Sequence, residues 1–206
     1  MKQLSLGDVP PATHCAGKGA LLPMNDGRTI LSIRDHIRTQ RQGIRTGTEQ
    51  TPLVCVCIGS DGILGDALGP FIGSLLERTH SRGLRVHGTL QQPIHAKNLS
   101  SLLSDLVSIH PQAHILAIDA CLGKTHEIGQ IQVNSGPLYP GTGVYKSLPA
   151  VGDLHILGIV GECRGENSLS SLHRVRLRLI ARMAEVIAEG ILQSLLPKTA
   201  PSTACG

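Results

Sequence analysis

Three short runs constrain this chain more than any other feature: LVCVCI at 53–58, HILAIDA at 114–120 and LHILGIV at 154–160. Each is aliphatic on both faces, the pattern of a strand covered from above and below; a strand with one wet face would alternate. Between and around them the period changes. Leu68, Phe71, Ile72, Leu75 and Leu76 recur at helical spacing and predict a helix over 67–79. Leu99, Leu102, Leu103 and Leu106 predict another over 95–109, stopped by Pro111. LRVHG (84–88) reads as a strand, and the alternating IGQIQVN (128–134) as a strand nearer an edge. A long helix is predicted from Asn167 to Leu196, capped by Asn167 or Ser168, with Leu172, Val175, Leu179, Met183, Val186, Ile187 and Ile191 as its apolar stripe. Arg174, Arg178 and Arg182 recur every four residues and read as its solvated face. Strands alternating with helices give an α/β domain, a three-layer α/β/α arrangement around a mostly parallel central sheet.

The domain is expected to span 51–196. Residues 1–50 read as a loose basic leader with a short helix over 26–42, and 197–206 as a flexible tail. The 206 residues hold one Phe, two Tyr and no Trp, so the core is aliphatic. The net charge of +4 lies at the two ends: residues 1–50 carry seven Lys/Arg against four Asp/Glu, and 51–160 carry six against seven. A basic face interleaved with stacking aromatics is therefore missing, and nucleic acid is not an expected partner. No apolar run nears the ~18 residues of a membrane span, and no signal-peptide core opens the chain, so the expected compartment is the cytoplasm. The six cysteines form no CxxC pair and are expected to be reduced. Cys121, two residues past Asp119, is the one thiol placed as a nucleophile, and an inert thiol is the plainer reading.

The stretch IGSDGILGDALGP (58–70) raises the functional question. It sets Asp61 and Asp66 in a glycine-dense turn after the first buried strand, and Asp119 ends the run HILAI. Sites in open α/β sheets form at the carboxyl ends of the strands, where both Asp66 and Asp119 are expected. A buried, unpaired carboxylate costs several kcal/mol, so it needs a cation, donors or a proton. Asp66 could serve only as a helix cap and Asp119 only as an acceptor for loop amides. Two acids on one edge would instead share a proton or hold a metal. The turn lacks the glycine pattern of a phosphate loop, and its acids would repel a phosphate.

GSDGILGDALGP resembles the first-strand turn of spore germination proteases and of hydrogenase maturation endopeptidases. AIDA (117–120) is similar to the second strand end of both, and LYPGTGV (138–144) resembles a Pro-Gly-Ser-Gly-Val loop of the germination proteases. Together with GTLQQPIHAKNL and LPAVGDLHILGIV, these motifs over 57–160 are similar to a smaller group, the sporulation YyaC proteins. The resemblance implies the hydrogenase-maturation-endopeptidase fold, phosphorylase-like in its layers. It implies that Asp66 and Asp119 are the two essential acids. The endopeptidases add a metal-binding histidine, for which this chain offers no clear counterpart beyond His155.

The function so read is a spore-protease-like hydrolase cutting peptide bonds with Asp66 and Asp119 as its catalytic pair. Gly59, Ser60, Asp61 and Gly65 of the turn, His95, and Gly141, Thr142, Gly143 and Lys146 of the PGTGV loop are its candidate substrate contacts. No cofactor is required by this chemistry; a divalent metal held by Asp66, Asp119 and His95 or His155 is the alternative. A protein that keeps the cleft and binds a peptide without cutting it is the other. The expected partner is a peptide or protein substrate, a spore protein among the candidates, and oligomerisation is left open.

Overall fold

The computed structural model describes residues 19–42, 51–141, 148–163 and 168–197. The three doubly apolar runs form the centre of a six-stranded sheet. β1 (Leu21–Pro23), β2 (Leu53–Cys57), β3 (Leu84–His87), β4 (His114–Gly123), β5 (Gln130–Ser135) and β6 (Leu154–Glu162) lie in the order β1-β5-β6-β4-β2-β3. β3, β2, β4 and β6 are parallel neighbours, and β5 and β1 add antiparallel strands at the β6 side. The parallel strands need crossovers, which the helices supply.

Each face of the sheet has its own core. On one, Cys55, Cys57, Ile118 and Ile156 pack against α1 (Arg28–Arg41), α2 (Leu68–Glu77) and α5 (Leu177–Leu195), through Ile33 and Ile37, Leu68 and Ile72, and Ile180, Met183 and Ile187. On the other, Val54, Val56, Ala117 and Leu157 pack against Leu99 and Leu106 of α3 (Leu99–Ile109). Odd and even residues of each strand thus feed opposite layers, the reason the runs had to be apolar throughout.

Five expectations are corrected. The expected domain start near residue 51 falls inside the packed structure. Pro23, Leu22 and Leu21 pair with β5, and Ile33 and Ile37 of α1 are wholly buried. The expected helix over 26–42 is present as α1, but it is part of the core. The single long C-terminal helix is two: α4 (Ser168–His173) and α5, separated by an extended Arg176. Asp119 does not end its strand. β4 runs on to Gly123, with an irregularity between Cys121 and Leu122. Finally, Cys55 and Cys57 are free thiols as expected, but Cys121 is disulfide-bonded and is no thiol nucleophile.

Candidate functional site

β2 carries the chain to the C-terminal edge of the sheet, where the Ile58 amide donates to the Ile118 carbonyl of β4 (2.7 Å). Gly59 then turns the backbone with φ +145°, and its amide donates to the Ile94 carbonyl (2.8 Å). A Cβ here would collide with the Asp66 carbonyl, so only glycine lets the two ends of the turn meet. The loop runs out through exposed Asp61 and returns through a 3-10 turn, Leu64–Asp66. The Ser60 amide closes it on the Asp66 carbonyl (3.2 Å). Gly65 sits against Leu172 of α4 so tightly that a side chain would strike that residue's backbone. The glycines thus hold Asp66 half-buried at the inner end of the loop, while Asp61 stays at its exposed tip.

Asp66 does not cap the following helix. The N-cap of α2 is Ala67, with no side-chain capping bond. That removes the usual structural duty of an acid at this position.

Asp119 lies mid-strand in β4, opposite Leu157 of β6. Its Oδ1 accepts the Ala120 amide (2.8 Å). The residue keeps some exposure, but its carboxyl is enclosed by protein. Burial pushes that carboxyl well above its ordinary value of 3.8, the negative charge of Asp66 pushes it further, and the Ala120 amide opposes both. The two acids, far apart in sequence, are therefore near enough for one to resist the ionisation of the other.

The remaining candidates are spread around this pair. His95 precedes α3, where its amide donates to Asn98 Oδ1 (2.8 Å) and its carbonyl accepts the Asn98 and Leu99 amides. Through Ile94 it adjoins Gly59, and with His87 and Asn98 it lines a cleft of about 400 Å³ beside β3. His155 is near the start of β6, in register with Ala117. Its Nδ1 donates to the Gly136 carbonyl (2.9 Å), and burial holds its pKa below 6.5. Gly141 has φ +76°. Thr142, Gly143 and Lys146 lie outside the described residues. Among the described residues, no three of His, Cys, Asp and Glu come together as a metal-holding group, so Asp66, Asp119, His95 and His155 do not form one. Two cavities open elsewhere on the molecule, and neither acid lines either of them.

Sequence reasoning missed Gln132 and Asn134. Alternation in IGQIQVN suggests polar side chains turned to water, yet both are buried, at 4% and 7% exposure. Gln132 is paired with Leu157, which is paired with Asp119, so all three project from the same face of the sheet. Asn134 is covered by the chain at Gly19, in the segment expected to be loose.

The architecture defines the class: a three-layer α/β protein with a mostly parallel central sheet, in which Asp66 follows β2 and Asp119 lies within β4. The chain belongs to the family described as "Protein of unknown function (DUF1256)", whose model matches residues 24–190. It is 44% identical over 140 residues to a Bacillus subtilis (strain 168) protein named "Uncharacterized protein YyaC", covering 68% of each chain. Among solved structures it is similar to the [NiFe] hydrogenase maturation protease HycI from Thermococcus kodakarensis KOD1, with 18% identity and a TM-score of 0.47 over 70% of this chain and 92% of that one.

Proposed function

We propose that this protein hydrolyses peptide bonds with Asp66 and Asp119 as a divided acid–base pair. The observation that carries the reading is the Asp119 carboxyl, driven toward its protonated form by burial and by the charge of Asp66. Paired carboxyls whose environments push their protonation apart supply one base and one acid at the same place. The Asp66 carboxylate takes a proton from water as the oxygen attacks the scissile carbonyl carbon. The Asp119 O–H donates to the carbonyl oxygen as it gains negative charge. Collapse of the tetrahedral intermediate breaks the C–N bond: the proton held by Asp66 passes to the leaving amine, and the hydroxyl proton of the intermediate returns to Asp119 as the C=O bond re-forms. The Gly59–Gly65 turn holds Asp66 in place. Ser60, Asp61, His95 and the loop from Gly141 through Thr142, Gly143 and Lys146 are proposed to hold the substrate. On the resemblance to germination proteases, that substrate is a protein of sporulating cells, met in the cytoplasm. Among the described residues, no helix is long and apolar enough to cross a membrane.

The test is cleavage of a random decapeptide library, read by mass spectrometry. Wild-type protein is expected to produce cleavage products that Asp66→Asn and Asp119→Asn do not, with all three folded by circular dichroism. Products formed by either variant at the wild-type rate would remove the acid-pair mechanism. Peptide capture without products from any of the three would favour a binding protein.

A further inference from the structure

The break between α4 and α5 has a consequence for the arginines. On one continuous helix they would have formed a stripe in water. Instead the turn at Arg174 and the extended Arg176 bring Arg174, Arg176, Arg178 and Arg182 to the rim of one cavity of about 680 Å³. Ile128, Val160 and Leu179 are among its apolar lining residues, and Ile128 keeps 36% exposure. The one acid in the lining, Glu162, accepts the Thr125 hydroxyl (2.8 Å). Arg182 pairs with Glu185 (3.2 Å), but Arg174, Arg176 and Arg178 form no ion pair among the described residues. The first turn of α5 holds no acid and Arg176 at its N-cap makes no side-chain cap, so the positive end of the helix adds to the charge.

We infer that this cavity is a docking site for an acidic polypeptide segment with an apolar anchor. Three observations select that occupant. Four arginines stand against the single acid Glu162, and Arg174, Arg176 and Arg178 have no ion pair among the described residues, so a carboxylate-bearing ligand completes the charge. Part of the lining is apolar, through Ile128, Val160 and Leu179, which a small inorganic anion would leave uncovered and a Leu or Val side chain would fill. The arginines are also spread out. Arg178 and Arg182 are one helical turn apart, a rise of roughly 6 Å. That matches alternate side chains of an extended peptide, about 6.6–6.8 Å apart, better than it matches a single phosphate. The scarcity of aromatics in the chain argues against nucleic acid, whose bases need stacking partners.

The site lies at the C-terminal end of β6, through Gly161 and Glu162. α4, which contributes Ser170 and Ser171 to the lining, also backs Gly65 beside Asp66. A segment seated here would therefore approach the edge of the sheet that carries the acid pair, but its binding does not depend on that pair's chemistry.

The probe is a fluorescein-labelled twelve-residue peptide with Glu at alternate positions, one central Leu and Ser elsewhere, followed by fluorescence anisotropy against the full chain. Wild-type protein is expected to bind it and not the matching Lys peptide. The double variant Arg174→Glu/Arg178→Glu is expected to weaken binding by at least about tenfold. These exposed positions leave the core intact, so the variant should unfold at the wild-type temperature. Ile128→Ser is expected to weaken binding as well, which diffuse surface charge would not explain. Equal binding by the double variant, equal binding of the Lys peptide, or tighter arginine-dependent binding of a twelve-nucleotide DNA strand would each overturn the inference.

Discussion

Asp119→Asn should make this protein more stable at neutral pH while abolishing its proposed activity. The unfolded carboxyl ionises near 3.8, whereas the folded one holds its proton to a much higher pH. Between those two values the folded state carries a proton that the unfolded state lacks. Stability therefore falls as the pH rises through that window, and the whole cost is present above the folded pKa. Asparagine is nearly isosteric, cannot ionise, and keeps an Oδ1 for the Ala120 amide at 2.8 Å. Its new amide can donate to the Asp66 carboxylate. Removing the proton uptake that folding otherwise demands is worth on the order of 1–4 kcal/mol at neutral pH. For a chain of this size each kcal/mol raises Tm by about 2–4 °C. Urea unfolding of both proteins at neutral pH should show a higher midpoint with an unchanged slope for the variant. The gap should shrink as the pH falls toward 4. An Asp119→Ala control leaves the Ala120 amide without its acceptor and is expected to lose about 1–3 kcal/mol of any gain. A variant less stable than wild type at neutral pH, or a gap that widens in acid, would refute the reasoning.

Three further outcomes follow from the same structure. His36, His87, His114 and His155 all have pKa values held below 6.5 by burial, so the unfolded chain takes up protons first, and stability should fall as the pH drops from about 6.5 toward their folded values, read by urea titration in the Asp119→Asn background. Gly59→Ala forces a side chain into the Asp66 carbonyl at a positive φ and should cost roughly 1–3 kcal/mol by thermal unfolding, with loss of cleavage. Ile33→Ala should cost about 2–5 kcal/mol, because α1 belongs to the core; an effect near zero would return residues 19–42 to the status of a leader.

The centre of the fold was legible because its strands are apolar on both faces, a pattern with few other uses. Asp119 stood out for the same reason, as a charge within a buried run. Its place mid-strand was hidden because Ala120 and Cys121 are small and the run looked finished. β1 has three residues and exists only because β5 offers an edge, so no local signal announces it. The α4–α5 break was masked because Leu172, Val175 and Leu179 keep a helical period straight through the gap. The burial of Gln132 and Asn134 depends on which segments cover β5, information that the alternation itself does not carry. The acid pair was suggested by strand-end placement, but their mutual influence is a tertiary fact.

The most direct measurement is the titration of the Asp119 carboxyl carbon by NMR in protein labelled with ¹³C at aspartate, compared with the same titration in Asp66→Asn. The wild-type signal should move only well above the usual carboxylate range, and removing the Asp66 charge should bring it down. A carbon that titrates near 3.8 and ignores the substitution would contradict a proton held between the two acids.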